Sequence, residues 1–311
     1  MQEIHSKRFA TGLILAIVGS IAFSGKAIIV KLAYRYGVDA VTLIMYRMLF
    51  ALPIFAVMAW WASRGKEALT RHDWLGILGL GFTGYYLASF LDFAGLAYIS
   101  AALERLILYL NPTLVLLLGW FLYKKRMSSL QIWAMALSYS GILLVFGHEI
   151  NVQSVNNSDT ALGAVLVFGS AVSYAIYLSY SGEIVKKLGS MRLVGLATTV
   201  ACLLCIAQFV MLRPLSAMAV APQVIWLSIL NATLCTALPV LAVMMAIERI
   251  GAPLTAQTGM IGPLSTILMG VFILGEPLNA WIIAGTVLVL GGVYLVSRNR
   301  PVMASSTANT P

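Results

Sequence analysis

The stretch Leu110-Asn111-Pro112 runs through Gly119 into Lys124-Lys125-Arg126 and on through Gly141 to Leu144-Val145, and it returns 151 positions later. The second copy, Ile261-Gly262-Pro263, runs through Gly270 into Gly275-Glu276-Pro277, then through Gly292 to Leu295-Val296. No gap is needed. Ala101/Ala252, Leu103/Leu254, Pro112/Pro263, Gly119/Gly270, Leu137/Leu288 and Gly141/Gly292 match at that single offset, and Gly12/Gly163 carries the register to the start of each half. The copies differ in charge: three basic residues in the first stand where the second has Gly-Glu-Pro. Basic loops stay on the cytoplasmic side of a membrane, so the two copies are expected to insert upside down relative to each other.

Composition supplies the membrane. Sixty per cent of residues are apolar, ten per cent are charged and the mean hydropathy is +0.92, far from a soluble domain, in which about a quarter of residues are charged. An apolar run of about 20 residues crosses the hydrocarbon core, and the pattern predicts spans at 9–31, 39–61, 74–96, 100–123, 129–147, 161–181, 192–212, 223–246, 252–274 and 279–297. The expected fold is therefore an all-α integral membrane protein of ten helices in two inverted five-helix repeats, residues 1–150 and 151–311. Helices also satisfy their own backbone hydrogen bonds in lipid.

Lys and Arg positions set the orientation. With the N-terminus inside, the inner flanks hold Lys7, Arg8, Arg64, Lys66, Arg71, Lys124, Lys125, Arg126, Lys186, Lys187, Arg192, Arg249, Arg298 and Arg300. The outer flanks hold Lys31, Arg35 and Arg213. Both termini are expected in the cytoplasm, with the protein in the plasma membrane, the inner membrane of a bacterium. The net charge of +9 then reflects topology and contact with anionic lipid headgroups, and no nucleic-acid partner is expected because no soluble face carries a basic stripe. Lys7-Arg8 is read as the flank of a retained first helix, since the run that follows is long enough to span.

Several chemistries are not supported. Cys202, Cys205 and Cys235 fall inside predicted spans, and Cys202/Cys205 reads as a packing pair. His5, His72 and His148 lie in flanks or loops, so no metal site is expected. No phosphate-binding loop is present, and no cofactor is expected. Residues 148–160 read as a polar linker between the halves, and 301–311 as a disordered tail.

Charges inside spans are costly and mark functional positions. Five qualify: Lys26, Arg47, Asp92, Glu104 and Arg105, all in the first half. Lys26 and Arg105 read as gate or ion-pair residues, with snorkelling toward the interface and pairing of Asp92 with one of them as the structural alternative. Asp92 and Glu104 read as binding groups, either able to take a proton, and Arg47 as an anion-binding or helix-locking residue. Helical spacing places Tyr85, Ser89 and Asp92 on one stripe, Glu104, Leu108 and Asn111 on another, and Ser170, Tyr174, Tyr177 and Ser181 on a third. Candidate binding residues are thus Arg47, Tyr85, Ser89, Asp92, Glu104, Asn111, Tyr174 and Tyr177; Asn231 and Thr255 are weaker. Pro112 and Pro263 each remove a backbone hydrogen bond and expose a carbonyl, and as a matched pair they read as hinges at a midplane site.

The segment Leu96-Ala97-Tyr98-Ile99-Ser100-Ala101-Ala102-Leu103, the mid-helix Pro112, and Gly275-Glu276-Pro277-Leu278 followed by Gly285 and Gly291-Gly292 resemble EamA repeats of the drug/metabolite transporter superfamily. Arg47 also fits that pattern, and the resemblance covers about residues 10–297. It implies two inverted bundles around a cavity and carriage of small metabolites, often amino acids, often outward. The expected partners are a small polar or amphipathic metabolite, membrane lipids and protons, in a monomer or homodimer working by alternating access. A lipid flippase on the same scaffold is the alternative. An integral membrane enzyme is disfavoured for want of a reactive constellation.

Overall fold

A computed structural model describes residues 2–124, 128–152, 157–250, 255, 258–259 and 261–298. Every regular element among them is helical. The helices are α1 (Gln2–Tyr34), α2 (Ala40–Ser63), α3 (Arg71–Leu80), α4 (Ala88–Leu96), α5 (Ala101–Leu108), α6 (Asn111–Tyr123), α7 (Ser129–Val152), α8 (Asn157–Leu188), α9 (Ser190–Leu212), α10 (Pro222–Ala232), α11 (Leu238–Ile250), α12 (Ile261–Met269) and α13 (Ala280–Arg298). Wide π-helical turns join α3 to α4 (Gly81–Leu87) and α10 to α11 (Thr233–Ala237), and another follows α12 (Gly270–Leu274).

Local chemistry sets the boundaries. Asp39 caps α2 through the amides of Val41 and Thr42, and Thr70 with Asp73 forms a capping box on α3. Ser100 caps α5 through Leu103. Gly275, at φ +74°, ends the last π turn in a left-handed conformation that a side chain disfavours.

Eight helices among the described residues are long and apolar enough to cross a membrane, and two shorter apolar helices, Ile261–Leu274 and Ala280–Leu295, follow. Large apolar side chains cover the bundle flanks; Phe272 is 82% exposed, and Trp133, Met211 and Trp226 are similar. Such a surface is at home in lipid rather than water. The ninth predicted span, 252–274, falls partly on residues outside the described set, as do Ala252, Leu254, Lys125, Arg126, Arg300 and the tail 301–311. Span 100–123 stands as one crossing, Ala101–Phe121, with its helix broken into α5 and α6 at Tyr109-Leu110 because Pro112 cannot donate across the junction. One expectation is corrected. The linker is shorter than 148–160: α7 continues through Val152 and α8 begins at Asn157, with 153–156 outside the described residues.

The duplication reappears in the packing. α2 packs on α9 and α7 on α13, each being the other's counterpart at the 151-residue offset. α1 packs on α11, and their counterparts α8 and α4 pack likewise; α1 on α12 is matched by α8 on α6. The match holds residue by residue. Gly12 lies against Arg249 and Ile250, and Gly163 against Tyr98 and Ile99. Gly141 meets Gly285 and Val289, and Gly292 meets Ala134 and Ser138. The π turns at 81–87 and 233–237 fall in the same register. Small residues at these crossings let backbones approach closely, the usual source of helix association in lipid.

The α7–α13 crossing makes a prediction from neighbouring glycines. A Cβ on Gly292 would press into the Ala134 carbonyl and the Ser138 hydroxyl, whereas on Gly291 it would meet only Leu137 at an ordinary 3.6 Å. Gly292→Ala should destabilise by about 1–3 kcal/mol, while Gly291→Ala should be neutral or gain up to about 1 kcal/mol from helix propensity. Thermal melting of the two variants in detergent compares them directly; equal melting points would remove the close crossing.

Candidate functional site

Lys26 of α1 reaches across to α4 and α5. Its Nζ lies 2.5 Å from Asp92 Oδ2 and 3.7 Å from Glu104 Oε1. All three are buried, and Glu104 is 0% exposed. Ser100 fixes the first turn of α5 and so aims Glu104 inward. Neither Glu104 oxygen nor Asp92 Oδ1 has a hydrogen-bond partner among the described residues. A sealed carboxylate with no donor is expensive unless a proton or a cation reaches it.

Arg105, next along α5, turns away from both acids. Its Nη2 donates to Ser24 Oγ at 2.9 Å, its guanidinium covers the Phe23 ring at 5.1 Å, and Ser24 in turn donates to the Gly262 carbonyl at 2.8 Å. Lys26 stands near the same ring, at 5.6 Å. The snorkelling alternative therefore fails for Lys26 and Arg105, which are 7% and 5% exposed. Asp92 pairs with Lys26 and not with Arg105.

Arg47 sits apart on α2. Its Nε donates to Thr236 Oγ1 at 3.1 Å, and its guanidinium lies over Phe93 at 5.1 Å. Thr236 is held by donating to the carbonyl of Asn231, five residues back, across the wide turn. Arg47 thus locks α2 to a π turn of the other half.

The tyrosines form a third group. Tyr85 and Tyr177 hydroxyls are 3.2 Å apart with rings edge to face at 5.2 Å, and Tyr174 stacks on Tyr177 at 5.4 Å. The expected stripe Tyr85–Ser89–Asp92 is broken: Tyr85 turns to α8 and Asp92 to α1, because the π turn ending at Leu87 disrupts the α-helical register. Ser89 is half-buried between them. Ser170 and Ser181 do not share the tyrosine face as donors to it. Ser170 donates to the Ala88 carbonyl across the helix contact, and Ser181 to its own Leu178.

Neither Pro112 nor Pro263 leaves its freed carbonyl open. Asn111 Nδ2 donates to Leu108 O at 2.7 Å, the acceptor that Pro112 cannot serve. Tyr109 OH donates to Gly259 O at 2.6 Å, the corresponding acceptor for Pro263. Asn111 is thus a backbone patch.

Residues missed from sequence are Thr236, Ser24, Phe23 and Thr198. The repeat offset held the signal for two of them: Thr198 is the counterpart of Arg47, and Thr236 of Tyr85. Thr198 lies near Tyr85, as Thr236 meets Arg47, although the Thr198 hydroxyl is outside hydrogen-bond geometry. Tyr177 is the counterpart of Lys26. A cavity of about 380 Å³, also missed, opens where α1 ends, lined by Lys31, Tyr34, Arg35, Leu274 and Glu276. There Lys31 is 3.6 Å from Glu276, and Glu276 Oε1 accepts from the Ala101 amide at 2.9 Å.

Breaking a buried pair by removing one partner typically costs about 3–5 kcal/mol, because the other charge stays buried. Asp92→Asn should therefore lower the melting point strongly. Lys26→Met combined with Asp92→Asn should recover part of that loss, as a double-mutant cycle would show. Additive losses would mean that the two side chains do not interact.

Relatives bear on this arrangement. The EamA-like transporter family model matches residues 10–147 and again residues 161–298, the same 151-residue spacing. The uncharacterized transporter YcbK of Bacillus subtilis is 30% identical over 303 residues, covering 95% of this chain and 94% of that protein. A WAT1-related protein of Arabidopsis thaliana is 26% identical, covering 90% and 87%. One protein of known crystal structure superposes with a TM-score of 0.62 at 15% identity over 92% of this chain and 97% of its own, a likeness of fold alone. A doubled family match and a full-length relative agree with the duplicated helical bundle: the chain belongs to the EamA-like transporter family.

Proposed function

We propose that the protein is a secondary-active carrier that moves a small polar or amphipathic metabolite, such as an amino acid or related compound, outward by alternating access. The observation that carries this reading is Glu104, enclosed beside the Lys26–Asp92 pair without a hydrogen bond. A carboxylate so placed can exchange a proton for a contact with Lys26 or with a substrate cation. That exchange is what couples an ion gradient to a conformational change. Arg47, Tyr85, Asp92, Tyr174 and Tyr177 are the proposed lining of the path, with Ser89 beside it.

The residue-by-residue match of helix contacts at the 151-residue offset supports ten spans in two inverted repeats, 1–150 and 151–311, with both termini cytoplasmic and the plasma membrane as location. An odd number of spans per repeat turns the second copy over, and carriers built this way place the site at the repeat interface. The wide turns at 81–87 and 233–237, one in each half, suit the bending that such a motion needs, since π bulges are frequent at functional positions.

Two measurements test the reading. In proteoliposomes, substrate flux should rise with an imposed proton gradient, and Glu104→Gln should abolish that dependence while leaving exchange at equal pH. Flux with unchanged pH dependence would remove Glu104 from coupling. Single cysteines at Lys124 and Pro277 should react with an impermeant reagent from opposite faces; labelling from one face would overturn the inverted arrangement.

A further inference from the structure

A second, smaller cavity of about 90 Å³ lies beside the first and is lined by Ser100, His148, Glu149, Glu276, Pro277, Asn279 and Ile282. Three elements meet there: the last turns of α7, the start of α5, and the loop leading from Gly275 into α13. We propose that this cavity binds one hydrated monovalent cation, sodium in the first instance, between Glu149 and Glu276.

The case begins with oxygens. Glu149 Oε1 accepts from the Ser100 hydroxyl, and Glu276 Oε1 accepts from the Ala101 amide. The second oxygen of each carboxylate, Glu149 Oε2 and Glu276 Oε2, is buried with no hydrogen-bond partner. Glu149 is 8% exposed. Both residues line one cavity, with Glu276 Oε2 lying over Gly270, and two buried acceptors left open there call for a ligand that accepts their lone pairs.

Charge makes that ligand a cation. Lys31, 3.6 Å from Glu276 Oε1, supplies one positive charge against the two carboxylates. Asn279 Oδ1 is taken by the Ile282 amide at 2.9 Å, so its Nδ2 must be the donor in the 2.8 Å contact with His148 Nε2. That ring nitrogen is thereby engaged by Asn279. Arg35 faces the larger cavity and donates to the Leu274 carbonyl. Lys31 is thus the one ammonium paired at this cavity, set against two carboxyl groups.

Size and ligand type narrow the class. A cavity of this volume holds an ion with some of its water, since one water needs only about 10–15 Å³. Oxygen ligands suit a hard cation. Among the described residues no three His, Cys, Asp or Glu side chains converge well enough to hold a metal ion. Two carboxylates with water completing the shell match a single charge better than a double one. The occupant would tie α7, α5 and the loop before α13 together at the mouth of the larger cavity. The argument is local and does not draw on the carrier reading.

Melting of the full-length protein in detergent tests the site without any flux measurement. At fixed ionic strength, replacing choline chloride with sodium chloride should raise the melting point saturably by a few degrees. The rise should be seen in neutral and mildly alkaline buffer alike. Glu149→Gln should abolish the sodium response, and Glu276→Gln, at a less buried position, should do so even if the first variant folds poorly. Equal melting in sodium and choline would overturn the proposal, as would a sodium response that survives both substitutions. A response that follows pH alone would mean a proton shared between the carboxylates, and would overturn it too.

Discussion

In hydrocarbon every backbone carbonyl that a helix fails to serve must be served by something else, and this requirement shapes the centre of the molecule. The bundle is interrupted at Pro112, at Pro263 and at three wide turns. At the prolines the freed acceptors are met by Asn111 and Tyr109. Around the first wide turn, Ser173 donates to Thr83 O and Ser170 to Ala88 O. At the second, Thr236 donates to Asn231 O. Most of the small polar side chains near the breaks are thereby committed to holding them open without loss. What stays uncommitted is chiefly charge: Glu104, one oxygen of Asp92, and Nε of Arg105.

The two halves share a frame and differ in what they hang on it. At matching positions Lys26 stands against Tyr177, Arg47 against Thr198, Asp92 against Val243 and Thr236 against Tyr85. Gly19 faces the Pro239 carbonyl where Ser170 donates to Ala88. Backbone approach is thus shared by the copies, while the buried Lys26–Asp92–Glu104 cluster is drawn from one. If the copies were chemically identical, the two end states of an alternating bundle would have equal energy in a symmetric membrane. On the proposed carrier reading, drawing that cluster from one half removes the equality and would let a bound proton or solute favour one state, within the limit set by its differential affinity.

Much of this was legible in the sequence, and the reasons are specific. Repeat register is carried by glycines at helix crossings, where size alone decides, so Gly141/Gly292 and Gly12/Gly163 announced contacts that the fold makes. Buried charges were legible because their cost leaves few tolerated positions. That Asp92 could meet one of the two cations was legible, but that Lys26 is the one, with Arg105 turned to Ser24 and Phe23, was not, since both rotamers fit the same helical spacing. Periodicity failed at Tyr85, Ser89 and Asp92 because a π turn carries no composition signal of its own and shifts every later residue. The cavities beside Glu276 depend on a loop meeting the ends of α1, α5 and α7, which no local pattern encodes.

The placing of Arg105 also decides how the buried acids can respond. Had its guanidinium met Glu104, the cluster would be two satisfied ion pairs, stable and with little reason to change. Instead its charge is spent on a hydroxyl and an aromatic face, and Lys26 alone faces two carboxylates. It cannot sit at hydrogen-bond distance from both in the geometry seen, 2.5 Å to one and 3.7 Å to the other. A proton arriving at Glu104 relieves that competition without disturbing the closer pair. A cationic solute must instead displace an ammonium tethered to α1, and so must move the helix that also packs on α11 and α12. On the proposed carrier reading, the same three side chains would distinguish a proton, which changes charge locally, from a solute, which has to shift the packing between halves.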